Sequence, residues 1–297
     1  MQYSIIGKSD LRISRIGFGC MSLTGSTREN EQIVQRALEL GINFFDTADL
    51  YEKGENEKKI GDLLRSQRDQ VVIATKAGNQ WRADGTGWDW NPSKKHIIAA
   101  AEESLKRLQT DYIDLYQLHG GTIDDPIDET IEAFEQLKQQ GKIRFYGISS
   151  IRPNVIREYV KKSGIVSVMM QYSLLDRRPE EECFGLLEEH NITVLSRGGV
   201  AQGLLVDKPA KAYLNWSADD VAQAAAALNE VKGAGTAAQT AVRFVLQHPP
   251  VGTAVIGIRT LAQLEDIAAS LDLPALTQEE MDIISAVTAS QYYSEHR

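Results

Sequence analysis

The 297-residue chain carries 32 Lys plus Arg against 41 Asp plus Glu, a formal net charge of −9, with 42% hydrophobic and 25% charged residues. These proportions exclude disorder, and the acidic balance excludes a general nucleic-acid or anionic-membrane binder, although a local basic pocket for a phosphorylated cofactor would be hidden in the total. Two cysteines, Cys20 and Cys183, are too few for a disulfide framework or a zinc site, so a reducing cytoplasm and no metal are expected. The N-terminus has no basic segment followed by a long apolar run, and no stretch of about 18 apolar residues occurs, so a soluble protein is expected. The length allows two ordinary domains or one α/β barrel of about 250 residues.

Taken from the N-terminus, Tyr3-Ser-Ile-Ile followed by the turn signal Gly7-Lys-Ser-Asp predicts a hairpin within the first fifteen residues, placed to plug the bottom of a barrel. Eight short β-branched or aromatic runs follow, beginning near Ile16, Ile42, Val71, Ile113, Ile143, Val166, Ile192 and Thr253. Their near-continuous hydrophobicity predicts strands of a parallel sheet covered on both faces. Between them, Ile33, Val34, Ala37 and Leu38 share a helical stripe, as do Ile97, Ile98, Ala101, Leu105 and Leu108, and Ile131, Phe134 and Leu137. Pro92 and Pro153 stand at expected first turns, and Gly41 and Gly141 just past expected helix ends. The alanine-rich run Ala224 to Ala227 also lies in a helical pattern. Eight βα units with no dividing linker predict a (β/α)8 TIM barrel, one α/β domain over residues 1–297.

Strand starts are mostly 23 to 30 residues apart, but the intervals from Val71 to Ile113 and from Ile192 to Thr253 are 42 and 61. The long loops after strands three and seven would fall on the C-terminal face, where barrel enzymes place their sites. All four tryptophans, Trp81, Trp88, Trp90 and Trp216, lie in them. They read equally well as an apolar wall for a substrate and as anchors that pack long loops down.

Several motif matches fail on context. Gly233-Ala-Gly-Thr-Ala-Ala238 fits a relaxed dinucleotide fingerprint but follows a helical stretch instead of a strand. Gly147-Ile-Ser-Ser-Ile lacks the closing glycine of a nucleophile elbow. There is no Walker A loop and no HExxH. His190 and His248 fall at expected helix C-termini, His96 opens a helical stripe, and His296 is expected in a mobile tail. Only His119 ends a predicted strand.

Four residues at or beyond strand ends make a chemical unit: Asp46, Tyr51, Lys76 and His119. Each alone has an ordinary structural reading, least easily Lys76, since an ammonium ending an apolar strand is costly unless paired or functional. Reduction of a carbonyl needs a proton donor for the developing alkoxide, and a phenol serves only if its anion is stabilised. Lys76 beside Tyr51 would supply the stabilising charge, Asp46 would hold Lys76 charged and oriented, and His119 would add a hydrogen-bond donor near the same oxygen.

The strings NFFDTADLY, VVIATK, DYIDLYQLH, GKIRFYGISS, QYSLLDRR and VIGIRTLAQLE, in this order and at the predicted strand ends, resemble the aldo-keto reductase superfamily over nearly the whole chain. The resemblance implies a barrel binding NADP(H), with NAD(H) as the alternative, in an extended pose without a Rossmann domain. It implies Tyr51 as general acid/base with Asp46, Lys76 and His119 as partners, and a small-molecule carbonyl as substrate. It assigns Ser149 and Gln171 to the nicotinamide carboxamide, Arg259, Gln263 and Lys208 to the adenosine 2′-phosphate, and Met21, Gly199, Gln202 and Gly257 to the cofactor cleft. Ser150 stands where the family has Asn, Arg197 where an aromatic residue stacks on the nicotinamide, and Asp266-Ile267 where Glu-Asn meets the adenine.

Two other readings keep the barrel: a Schiff-base enzyme using Lys76 as nucleophile, and a nucleotide-sensing regulatory subunit with little turnover. No heptad or apolar surface stripe defines an oligomeric state.

Overall fold

The computed structural model describes residues 1–288 and 291–297. Strands β1 (Tyr3–Ile5) and β2 (Arg12–Ser14) form an antiparallel hairpin. The chain continues through β3 (Ile16–Gly19), α1 (Thr27–Glu39), β4 (Phe44–Asp46), α2 (Glu55–Leu64) and β5 (Val72–Ala77). A second hairpin, β6 (Asn79–Trp81) with β7 (Trp88–Trp90), precedes α3 (Lys94–Leu108), β8 (Ile113–Leu118), α4 (Ile127–Gln139) and β9 (Ile143–Ser149). Next come α5 (Pro153–Lys162), β10 (Ser167–Gln171), α6 (Pro179–Glu189) and β11 (Thr193–Arg197). The chain ends with α7 (Ala218–Val231), α8 (Ala237–Leu246), β12 (Val251–Gly257), α9 (Leu261–Ala269) and α10 (Gln278–Ala286). Strands β3, β4, β5, β8, β9, β10, β11 and β12 close into a parallel barrel in that order. This is the (β/α)8 TIM barrel that the eight apolar runs predict. Among the described residues no helix is long and apolar enough to cross a membrane.

The N-terminal hairpin seals the bottom. Ile6, Leu11 and Ile13 are fully buried against an interior layer that includes Phe44, Val72, Leu115, Met169, Leu195 and Val255. Gly7 makes the turn at φ +44°, where an added Cβ would lie 2.4 Å from the carbonyl oxygen of Val166, so the close approach itself requires glycine. The larger apolar cluster fills the space between barrel and helices, and the predicted stripes on α1, α3 and α4 supply part of it.

Helix punctuation follows the sequence closely. Gly41 and Gly141 stand just past the C-caps of α1 and α4 at φ +83° and +71°. Pro153 is the first residue of α5, whereas Pro92 sits one residue before Ser93, the side-chain N-cap of α3. Gly233 to Ala238 spans the turn between α7 and the start of α8, so no strand precedes it. The C-terminal tail is tied down, contrary to expectation: the His296 carbonyl accepts from the Asn154 N–H at 2.8 Å, Tyr293 is buried, and Arg297 pairs with Glu181 and Glu182.

Candidate active site

Side chains alternate along a strand, so residues two apart share a face. Phe44, Ala74, Leu115, Met169, Leu195 and Val255 all belong to the apolar interior layer. Two residues further along the same strands stand Asp46, Lys76, Gln117, Gln171, Arg197 and Gly257. Ser149, four residues beyond the inward Phe145, has the same parity. The upper layer of the barrel therefore collects most of the residues singled out from the sequence, on the C-terminal face.

Lys76 and Asp46 form a buried ion pair, Nζ to Oδ2 2.6 Å. Lys76 also donates to the Thr47 carbonyl at 2.8 Å, and Gln117 donates to the other Asp46 oxygen at 3.4 Å. Burial opposes the Lys76 charge, but Asp46 and Tyr51 outweigh it and hold the ammonium above its ordinary value. Burial likewise lifts the Asp46 carboxyl, against the pull of Lys76. Tyr51 follows β4 on a sharp turn in which Glu52, Lys53 and Gly54 are all left-handed. Thr47 and Asn56 brace this turn, Thr47 Oγ1 donating to Asn56 Oδ1 at 2.7 Å and Asn56 Nδ2 to the Cys20 carbonyl at 3.0 Å. Lys76 Nζ lies 5.2 Å from the centre of the Tyr51 ring, and the His119 ring meets Tyr51 edge-on at 5.9 Å. All four predicted residues thus come together.

Burial, with the charges of Lys76 and Arg197, pushes the His119 imidazole down to about 3, so it is neutral at neutral pH. Its Nδ1 is buried without a partner among the described residues, and its backbone N–H donates to the Ala77 carbonyl at 2.8 Å. A neutral ring can donate or accept one hydrogen bond at the site but cannot serve there as a cationic acid.

The arc over β9 to β12 is more open. Gln171 donates to Asp176 Oδ2 at 2.9 Å and to the Tyr213 hydroxyl at 3.3 Å, and its oxygen accepts from Arg197 at 3.1 Å. Ser150 is buried, its Oγ accepting from the Arg152 N–H at 3.2 Å. Met21 is 63% exposed, and Arg197, Gln202, Lys208, Gly257, Arg259 and Gln263 are exposed too. Gly199 packs beside Val245 and Ile256. Gln263 Oε1 accepts from the Arg259 N–H at 3.0 Å, in the first turn of α9. Ile267 is buried in the core, and Asp266 accepts from Thr236 and Gln239, so both are committed to packing α9 against α8.

The tryptophans divide. Trp90 packs over Gly78 and Gly120 and donates to Asp125 at 3.0 Å, and Trp216 donates to the Leu175 carbonyl at 2.8 Å. Trp81 lies under Lys53 Nζ at 5.0 Å with its indole N–H unpartnered among the described residues, and Trp88 is 47% exposed. The first pair anchors loops, whereas of the second only Trp88 is largely exposed. Sequence reasoning missed Gln117, Thr47, Asn56, Asp176 and Tyr213. For Gln117 the inward parity after Leu115 was the available signal.

Comparison with known proteins agrees with this arrangement. A sequence model described as the Aldo/keto reductase family matches residues 15–289. The oxidoreductase YqkF of Bacillus subtilis is 49% identical, covering 98% of each chain. The holo form of aldo-keto reductase AKR11C1 from Bacillus halodurans superposes with a TM-score of 0.94 at 48% identity, covering 100% of this chain and 99% of the other. The apo form of that protein gives 0.86 at 45% identity over the same shares. With the closed barrel and an Asp–Lys–Tyr–His cluster at its mouth, these matches establish that the chain belongs to the aldo/keto reductase family, whose members are oxidoreductases of small-molecule carbonyls.

Proposed function

We propose that the protein, one barrel domain over residues 1–297, reduces aldehydes or ketones to alcohols with NADP(H), NAD(H) being the weaker cofactor. The observation that carries this reading is the buried Lys76–Asp46 pair at 2.6 Å held against Tyr51. An ammonium kept charged beneath a phenol stabilises the phenolate left when Tyr51 gives its proton to the substrate oxygen, and neutral His119 offers that oxygen a second hydrogen bond. In the oxidative direction the same phenolate takes the proton back. The ion pair also disfavours a Schiff-base role, which needs an uncharged amine.

The donor set over β11 and β12 fits an anionic nucleotide. Arg197, Lys208 and Arg259 have no carboxylate partner among the described residues, and the N-terminus of α9 follows β12, where barrels commonly hold phosphate. Arg259, Gln263 and Lys208 would hold the phosphate, and Ser149, Ser150 and Gln171 the carboxamide. Met21, Gly199, Gln202 and Gly257 would line the cleft, with Arg197 beside the ring. The nicotinamide, when bound, supplies the hydride. The closer agreement with the holo form of the Bacillus halodurans protein supports a chain arranged to receive a cofactor.

Exposed Trp88 of the β6–β7 hairpin, with Ile123, Ile151, Leu214 and Tyr292 on loops or tail, stands near the C-terminal face, which supports an apolar or aromatic carbonyl as substrate. The test is a fluorescence titration with NADPH and NADH, followed by turnover on an aldehyde panel. NADPH should bind more tightly, and Tyr51→Phe should lose about 10²–10⁴-fold in turnover while retaining cofactor affinity. No response to either nucleotide, or full activity in the variant, would sink the reading. Tight binding without turnover would point instead to nucleotide sensing.

A further inference from the structure

Gln171 ends β10 with its amide gripped at both ends. Its Nε2 donates to Asp176 Oδ2 at 2.9 Å and to the Tyr213 hydroxyl oxygen at 3.3 Å, while its Oε1 accepts from Arg197 Nη1 at 3.1 Å. Asp176 is buried and takes a two-point hydrogen bond from Arg178, Nε to Oδ1 and Nη2 to Oδ2, both at 2.7 Å. The turn that carries Asp176 is closed on itself: the Asp176 N–H donates to the Ser173 carbonyl at 2.9 Å, and the Ser173 N–H returns the bond at 3.3 Å. Trp216 pins the same turn through the Leu175 carbonyl.

These partners decide which way round the Gln171 amide lies. A carboxylate only accepts hydrogen bonds and a guanidinium only donates them. The reverse orientation would set the amide oxygen against the Asp176 carboxylate and the amide nitrogen against the Arg197 guanidinium. In the orientation that satisfies both, the two N–H groups are spent on Asp176 and Tyr213, and one lone pair of Oε1 is left over. Ser150 offers the complement. It lies beside the same strand, its N–H donating to the Met169 carbonyl at 3.1 Å, and its hydroxyl has no acceptor of its own among the described residues.

We propose that Asp176, locked by Arg178, is a positioning residue that makes Gln171 a pure acceptor, so that Gln171 takes an N–H of the nicotinamide carboxamide and leaves the carboxamide oxygen to a serine hydroxyl. This rests on the reductase reading above, in which Gln171 meets the carboxamide, and adds which half of that group each residue reads.

The experiment is a calorimetric titration with NADPH and with its reduced 3-acetylpyridine analogue, in which a methyl ketone replaces the carboxamide and no N–H remains. Wild type should bind NADPH roughly tenfold more tightly than the analogue, the weight of one hydrogen bond. In Asp176→Asn the side chain at 176 can donate as well as accept, Gln171 is released to turn either way, and the preference should shrink to within about twofold. Combining Gln171→Glu with Asp176→Asn exchanges the two groups at constant net charge: the carboxylate at 171 can only accept, and the amide at 176 donates to it while accepting from Arg178. The double variant should regain the roughly tenfold preference. Because it satisfies the same partners, it also decides the matter if Asp176→Asn alone does not fold, and absence of the preference in the folded double variant overturns the proposal. An equal loss of affinity for both nucleotides in Asp176→Asn, with the preference intact, would leave Asp176 a purely structural role and overturn it as well. If wild type binds the two nucleotides equally, the acceptor role fails while the reductase reading stands. If it binds neither, both fail together.

Discussion

Two layers of side chains inside one barrel, two residues apart on the same strands, differ completely in chemistry. The lower layer, with Phe44, Ala74, Leu115, Met169 and Leu195, closes on Ile6, Leu11 and Ile13 of the hairpin and is dominated by apolar side chains. The upper layer, with Asp46, Lys76, Gln117, Gln171 and Arg197, is charged and hydrogen-bonded. The lower layer contributes stability by area removed from water and tolerates no charge. The upper layer rests on that platform and holds groups whose burial is unfavourable unless every partner is in place. Stability and chemistry are thus separated by one step of strand periodicity, and substitutions in the two layers should separate the same way.

The sharpest break comes at Lys76. Lys76→Met should reduce carbonyl turnover by about 10²–10⁴-fold, because the phenolate loses its counter-charge. It should also cost about 3–5 kcal/mol in urea unfolding at neutral pH, since Asp46 is left buried and unpaired. Adding Asp46→Asn should recover most of the stability and none of the turnover. Recovery of both in the double variant would show that the pair serves only the fold.

At the lower layer the outcome inverts. Ile13 is fully buried in the hairpin plug, so Ile13→Ala should cost about 2–5 kcal/mol of stability. NADPH affinity and turnover per folded molecule should match wild type, measured below the variant's unfolding transition. A turnover loss comparable to that of Lys76→Met would mean that the plug shapes the site, and the two layers would not be separable.

The barrel was legible because eight buried strands leave eight apolar runs, and the helix stripes follow from a single solvent boundary. Asp46 and Lys76 stood out because charges ending apolar runs have few structural explanations. Gln117 was equally accessible by parity but carries no charge to attract attention. Other parts depend on contacts remote in sequence. Tyr213 reaches Gln171 across 42 residues, and Arg297 finds Glu181 across 116, so neither the clasp on Gln171 nor the pinned tail has a local signature. Glu57 of α2 and Arg107 of α3 are 50 residues apart, so their buried ion pair became visible only when the packing of α2 against α3 was known. Ile267 shows the reverse case: a family position for adenine contact is here a core residue, because α9 turns that side toward α8.

The smallest expected effect tests whether the upper layer continues outward into the exposed arc. Arg259 follows β12, is exposed, and has no carboxylate partner among the described residues, so its side chain carries no structural burden there. Arg259→Ala should therefore leave stability within about 0.5 kcal/mol of wild type. If Arg259 holds a 2′-phosphate by charge-assisted hydrogen bonds in partly screened surroundings, NADPH affinity should fall by roughly tenfold. NADH, which lacks that phosphate, should bind as before, and the loss for NADPH should shrink as salt is raised. An equal loss for both nucleotides would place Arg259 on the pyrophosphate or on the loop geometry instead. No loss for either would assign the phosphate to Lys208 or elsewhere, leaving the buried Lys76 pair to account for function without this outer contact.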